Sequence, residues 1–353
     1  METGQQNIEE ELKNILTQGC TDNVEIQRDA YNNITIIKRP EVSGDLYKVG
    51  IDEAGRGPLA GPLVYSMAYW VSDPDTKVYN DSKKVGKQKR VMQHKDLYKD
   101  KSVGFIIRCL SPLFISINML CTIRDKENKS LKKIPAKKTA KRQKLEPEIA
   151  EEAGKNKEPS YSTILHMMGK TDLGPPIFVS RIRQNLNDLS IGCILELLNT
   201  SIKSGVQMQE VFIDTVGNKQ TLRAKVVDLL KDSKGIKNVT VEEKADSKYQ
   251  VVGAASILAK VTRDMFFENS DLSKLIYKGA SLPKIAVSGY PSDVNTKNWM
   301  KKSFLSGLGF PSIFRIAWKP ILEVLQEEKT KKHLKNETVR GTMTCYLKKA
   351  QIQ

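Results

Sequence analysis

Two adjacent carboxylates, Asp52 and Glu53, follow the apolar run Val49-Gly50-Ile51 and precede the turn Gly55-Arg56-Gly57. Paired acids at the end of a strand suit a hard divalent cation. The glycines let backbone N–H groups approach an anion, and the arginine adds a planar fork of donors. In outline this is a metal site beside a phosphate site; a solvated, charged loop is the alternative for the segment by itself. Two further acids repeat the arrangement, Asp214 closing the run Val211-Phe212-Ile213 and Asp246 following the run 239–242 by a few residues. Four carboxylates at strand ends repel one another unless cations compensate them, and two divalent ions would do so while polarising a phosphodiester. The simpler reading is that each acid caps a following turn or helix. For Asp246, ahead of VVGAASILAKVTRD, capping comes first when only the local residues are weighed.

The elements that must carry these acids follow from hydrophobic periodicity. Residues 47–51 and 63–70 read as strands joined by the Gly/Pro turn, and 103–110 as a third strand after a short, charged helix over 87–99. Three strands in close succession predict an antiparallel start. Alternation then takes over, with a helix over 186–203, a strand at 210–213, a helix over 221–231, a strand at 239–242 and a helix over 249–267. That order introduces a parallel element. It predicts a mixed sheet whose functional residues collect where strands open into loops. Residues 1–45 are polar with weak patterning and read as an N-terminal extension. The stretch 122–183 breaks the order with a lysine run, clustered acids and prolines, and reads as a disordered insertion. A further helical stretch follows Phe310, before a charged linker and a tail that is either free or docked on a partner.

Composition narrows the partner. A formal charge of +16 and a pI near 9.4 favour a polyanion, and nucleic acid over a membrane because no basic amphipathic helix stands out. Lys132–Lys144 holds seven basic residues and no acid, so more than half of the net charge lies elsewhere in the chain. This run resembles a nuclear-import signal, though a solvated loop has the same composition. Five scattered cysteines, odd in number and without CxxC spacing, argue against a zinc ribbon or a disulfide framework. His94, His166 and His333 lie apart from any candidate nucleophile, against a histidine-driven ribonuclease mechanism. The first residues lack a signal-peptide pattern and the uncharged stretch 59–71 is too short to span a bilayer, so a soluble intracellular protein is expected.

Taken together, VGIDEAGRGPLAGPLVY, NDSKK, SPLFISINML, NLNDLS, VFIDTVG, EKADSKYQVVGAASILAKVTRD, GYPSDVNTKNW and GFPSIFRIAWK resemble the type 2 ribonuclease H family, and within it the catalytic A subunits of eukaryotic ribonuclease H2. The segments occur in the family's order and cover most of residues 47–320 outside the insertion. The resemblance implies an α/β, RNase H-like fold, a mixed five-stranded sheet flanked by helices, with a helical C-terminal extension. The catalytic domain would run over 46–270, interrupted at about 122–183, with a substrate-binding region over 271–330 and a tail over 331–353. It implies that Asp52, Glu53, Asp214 and Asp246 bind catalytic Mg²⁺, with Mn²⁺ as a substitute. The implied reaction is hydrolysis of RNA in RNA/DNA hybrids and incision 5′ to single ribonucleotides in duplex DNA, leaving 5′-phosphate and 3′-hydroxyl ends. A heterotrimer with B and C subunits, a nuclear location, and roles in ribonucleotide excision and primer removal are implied as well.

On that resemblance Gly55, Arg56 and Gly57 would read the ribose 2′-OH and a neighbouring phosphate, and Tyr290 of Gly289-Tyr290-Pro291 would pack against the sugar at the RNA-to-DNA junction. A buried core tyrosine is the competing reading. Lys83, Lys84 and Asn185 are phosphate-contact candidates by the same likeness, with plain exposed polar residues as the alternative. Lys260 and Arg263, at i and i+3 on one helical face, are a further pair that could face phosphate. The chain departs from the family where Ile191-Gly192-Cys193 replaces a His-Asp-Thr stretch, and where the insertion separates SPLFISINML from NLNDLS. The insertion is expected to loop away from the hybrid. Rival readings are a self-sufficient type 2 enzyme, another nuclease or integrase of RNase H-like fold, and a catalytically dead hybrid-binding scaffold; the four acids argue against the last.

Overall fold

The computed structural model describes residues 10–20, 22–41, 46–73, 79, 86–120, 184–269, 287–305 and 309–328. The expected insertion at 122–183, Lys83, Lys84 and the tail over 331–353 lie outside them. Among the described residues one mixed sheet has seven strands: β1 (Val24–Arg28), β2 (Ile34–Lys38), β3 (Tyr47–Ala54), β4 (Leu63–Trp70), β5 (Gly104–Leu110), β6 (Met208–Asp214) and β7 (Asn238–Glu242). Their order is β1-β2-β5-β4-β3-β6-β7, antiparallel through β3 and parallel from β3 to β6 and β7. The main helices are α1 (Lys87–Lys99), α2 (Leu186–Lys203), α3 (Lys219–Leu230), α4 (Gln250–Glu268) and α5 (Val294–Ser303). Helical backbone also covers 319–328, within the helical stretch expected after Phe310. No described helix is long and apolar enough to cross a membrane.

The five strands expected from the family become seven because residues 24–38 belong to the sheet. β1 and β2 form a hairpin, and β2 pairs with β5. Asp29 makes the turn: its carboxylate accepts the N–H groups of Tyr31 and Asn33, both at 2.9 Å, and Asn32 takes φ +59°. At the end of β2 the buried Lys38 donates to the carbonyls of Asp100 and Val103, each at 2.6 Å, and burial lowers its pKa to about 8. The region read as an extension thus includes one edge of the catalytic sheet.

Both faces of the sheet are covered, which is why all eight residues of β4 are buried. Strand alternation sorts the side chains. Val49, Ile51, Tyr65, Met67, Val211 and Ile213 face α2 and α3, while Ala68, Trp70, Phe105 and Ile107 face α4 and α1. α4 is apolar around most of its circumference, as a helix packed inside a core must be. Its first turn lies against β3 so closely that a Cβ at Gly50 would stand 2.4 Å from the Val251 carbonyl carbon and 2.5 Å from the Val252 nitrogen. Gly253 is under the same constraint from the other side, a Cβ there meeting the Tyr79 carbonyl oxygen at 2.4 Å.

The departure at 191–193 is absorbed by packing. Ile191 and Cys193 are buried between α2 and the sheet, and Gly192 faces solvent with open space around it. His94 is likewise a core residue, packed on Tyr98 and held neutral by burial, which lowers its pKa to about 3.

Backbone cannot yield at Gly50 as a flexible side chain would. Gly50→Ala is therefore expected to destabilise the fold by about 3 kcal/mol, the upper end of the usual cost of overpacking, read as a lowered urea midpoint; an unchanged midpoint would contradict the close approach of α4 to β3.

Candidate active site

β3 and β6 run parallel with Ile51 opposite Ile213, so Asp52 and Asp214 leave the sheet side by side. Alternation turns both toward α4 and sends Glu53 toward the α2 side, so the acids meet around the open strand ends. One oxygen from each of Asp52, Glu53 and Asp214 lies within 4.8 Å of the other two. Asp246, expected as the fourth member, stands outside this group. It sits buried in a 3-10 turn, Ala245–Ser247, between β7 and α4, and that turn is tied to the cluster because the Ala245 N–H donates to Asp214 Oδ1 at 3.0 Å.

Asp52 is buried, and burial holds its pKa well above the usual carboxylate value, with the charges of Glu53 and Asp214 adding to the rise. A hydroxyl from Ser256 on α4 and the Glu53 N–H, at 2.7 Å, offset part of it. For an acid, a raised folded pKa means that stability falls as pH climbs from the unfolded value toward the folded one. Three convergent carboxylates supply only oxygen donors and negative charge, which is the donor set a hard divalent cation takes. The residues fit such a group.

Beside the acids, the Gly55-Arg56-Gly57 turn is held from behind by Arg315, whose anchoring role has no local sequence signal. Its buried guanidinium donates to the carbonyls of Gly55 (2.7 Å), Arg56 (3.0 Å) and Gly61 (2.9 Å). The Trp318 indole N–H donates to the Gly57 carbonyl at 3.3 Å. In a trans peptide the carbonyl and the following N–H point in opposite directions, so anchoring the oxygens of Gly55 and Arg56 aims the N–H groups of Arg56 and Gly57 away from Arg315. Gly55 has φ +89°, and a Cβ there would stand 2.8 Å from the Pro62 carbonyl oxygen, so the position requires glycine. The Arg56 side chain donates to Asn187 Oδ1 at 2.5 Å, and Asn187 in turn packs on Gly217 in the loop after Asp214. Asn187 therefore links the turn to the acid-bearing loop.

The Tyr290 ring lies 3.6 Å from where a Gly57 Cβ would stand, so it is next to the turn. Its own turn is fixed by Asp293, which accepts from the Ser288 N–H and hydroxyl and from the Thr296 hydroxyl, and by Leu59 N–H donating to the Gly289 carbonyl at 2.6 Å. Arg263 is buried; it donates to the Ser288 carbonyl at 2.6 Å and to Asp264, and its guanidinium sits 5.3 Å from the Tyr290 ring centre. That corrects its reading as a phosphate contact: it supports the tyrosine. Lys260 is paired with Asp264 at 2.9 Å. Asn185 uses its side-chain oxygen to cap α2, accepting from Asn187 and Asp188, while Asp188 returns the bond to the Asn185 N–H. Its oxygen therefore has a structural task beyond the expected phosphate contact.

A family model described as ribonuclease HII matches residues 49–160 and 138–321. The chain belongs to this family. It is 29% identical to the ribonuclease H2 A subunit of Homo sapiens over 79% of this chain and 73% of that one, and 31% identical to that of Caenorhabditis elegans over 79% and 75%. Against the Dictyostelium discoideum protein of the same name it is 30% identical, over 87% of this chain and 91% of that one. The crystal structure of the ribonuclease H2 from Pyrococcus horikoshii OT3 superposes with a TM-score of 0.51 at 22% identity, covering 80% of this chain and 99% of that one, which shows a shared fold. As a ribonuclease HII the chain is an endoribonuclease H, and its acids and its Gly-Arg-Gly turn are brought together by two strands, α4 and the segment around Arg315.

Arg315→Lys keeps the charge but cannot reach three carbonyls as a planar fork does. The variant is expected to lose about 2–4 kcal/mol of stability in urea unfolding and, where still folded, to show a raised KM for hybrid; wild-type stability and KM together would contradict the anchoring role.

Proposed function

We propose that this ribonuclease HII hydrolyses the RNA strand of RNA/DNA hybrids and incises duplex DNA on the 5′ side of a single embedded ribonucleotide, leaving 5′-phosphate and 3′-hydroxyl ends. The observation that carries the reading is the convergence of Asp52, Glu53 and Asp214 within 4.8 Å beside a turn whose Arg56 and Gly57 N–H groups point away from the anchoring Arg315. Asp52, Glu53 and Asp214 would hold divalent cations, Mg²⁺ or Mn²⁺ in its place, with Asp246 joining the set from its tethered turn. When bound, two such ions neutralise charge that builds on a phosphodiester and polarise it toward hydrolysis. The protein's own residues do the rest. The N–H groups of Arg56 and Gly57 reach the ribose 2′-OH, the group that separates RNA from DNA, and Arg56 approaches the neighbouring phosphate. Tyr290, backed by Arg263, packs on the adjoining sugar and thereby tests the junction.

The same reading extends to assembly and place. The relatives are named as A subunits of ribonuclease H2, which supports a heterotrimer with B and C subunits. The basic run at Lys132–Lys144 supports a nuclear location, and roles in ribonucleotide excision repair and primer removal would follow from the proposed cleavage specificity. Net positive charge suits a nucleic-acid substrate.

Asp214→Asn separates catalysis from fold, because the amide oxygen can still accept the Ala245 N–H. Cleavage of a duplex with one ribonucleotide is expected to fall by more than about a hundredfold while hybrid affinity stays within a few-fold. Retained turnover would remove Asp214 from the catalytic set, and cutting at a position other than 5′ to the ribonucleotide would overturn the proposed specificity.

A further inference from the structure

On the carbonyl side of Gly57 lies a shallow cleft of about 350 Å³, at the small end of ligand-binding clefts. Met119, Leu186, Ala317 and Trp318 line it, with Arg56 and Lys319 as its cationic members. Met119, Leu186 and Trp318 are only half-buried, although each packs on the core of the α2 face. The Trp318 ring is fixed in place, its N–H on the Gly57 carbonyl at 3.3 Å and the Arg315 guanidinium 5.0 Å from its ring centre. Tyr290 is not part of this lining, so Gly57 has two separate aromatic neighbours, one at its Cα and one at its carbonyl.

An apolar floor with cations beside it matches a nucleotide, which presents an apolar sugar face and a charged phosphate. A clamp made of backbone and a stacked or packed aromatic is the common device for holding a strand without reading its base. We propose that Met119, Leu186 and Trp318 form a subsite for the sugar of a second nucleotide, distinct from the one against Tyr290, with its phosphate toward Arg56 and Lys319. This subsite sets how much flanking nucleic acid the enzyme needs on one side of the ribonucleotide. The inference rests on the proposed reading of the chain as a nuclease acting on ribonucleotide-containing duplexes. It favours nucleic acid over a protein occupant because the cleft is continuous with the Gly-Arg-Gly turn and carries cations.

The test uses the full chain with B and C subunits and a set of duplexes, each with one ribonucleotide and progressively trimmed on either side. Wild type should show a KM that rises when one particular flank is shortened past a single nucleotide step. Met119→Glu, which puts a charged carboxylate where the sugar would pack, should raise KM on the full-length duplex about tenfold, leave kcat within twofold, and lose the sensitivity to trimming that flank. Leu186→Gln gives an independent second variant, and unaltered melting temperatures identify folded protein. Wild-type KM and wild-type trimming sensitivity in both folded variants would overturn the subsite. Loss of copurification with either partner protein while KM is unchanged would also overturn it, assigning the cleft to a protein interface. Failure of the wild-type enzyme to cut any ribonucleotide-containing duplex would instead remove the underlying functional reading.

Discussion

The contact on which the rest of the molecule depends is the approach of the first turn of α4 to the middle of β3, with no side chain between them. Gly50 makes it available, because any Cβ there would overlap the backbone of Val251 and Val252. From this contact several placements follow. α4 can cover β3 and β4 at the depth of a core helix, Ser256 comes within hydrogen-bonding reach of Asp52, and the Ser66 hydroxyl of β4 donates to the Ala255 carbonyl. The same helix carries Arg263 and Phe267 toward Tyr290. One tight packing contact thus positions both the acids and the support of the tyrosine.

The acids oppose that order. Asp52 is buried beside two further carboxylates, and each ionised neighbour makes the next harder to ionise. Local hydrogen bonds from Ser256, Glu53 and Ala245 relieve part of the repulsion and hold the oxygens in place. A cluster of this kind is unfavourable by itself and favourable with cations opposite it, so the fold stores in the site an affinity for positive charge. The neighbouring turn solves the complementary problem. Its carbonyls are satisfied by Arg315 and Trp318, and the N–H groups of Arg56 and Gly57 are thereby aimed away from Arg315.

Much of this is legible in the sequence where the signal is local. β3 and β6 read as apolar runs ending in acids, and α2 and α4 as long helical periods between turn residues. What escapes a sequence reading depends on distance or on mixed patterning. β1 is hidden because VEIQR is too polar to signal a strand, whereas β2, ITIIK, is a short β-branched run whose signal is local but sits within a polar region, with Asp29 and Asn32 marking the hairpin turn between them. Arg315 lies within the segment GFPSIFRIAWK, but nothing local shows its anchoring role: an arginine in an apolar stretch acquires that role only when residues some 260 positions away fold back onto it. Arg263 misleads for the same reason, since helical spacing with Lys260 shows a shared face and not that the face is covered. Asp246 reads as an equal fourth ligand, whereas its turn is joined to Asp214 through a backbone N–H and its carboxylate stands outside the group of three.

The central claim is that the clustered carboxylates are a cation site whose repulsion a divalent ion relieves. Thermal unfolding of the wild-type chain and of Asp52→Asn, in chelator and across a titration of Mg²⁺ or Mn²⁺, tests it most directly. The account predicts a saturable rise in Tm for wild type, equivalent to about 2.7 kcal/mol at a hundredfold excess over Kd. Asp52→Asn should be at least as stable as wild type in chelator and should gain little from either ion. A wild-type Tm that neither cation moves at millimolar concentration, or an Asp52→Asn variant that gains as much as wild type, would contradict the account.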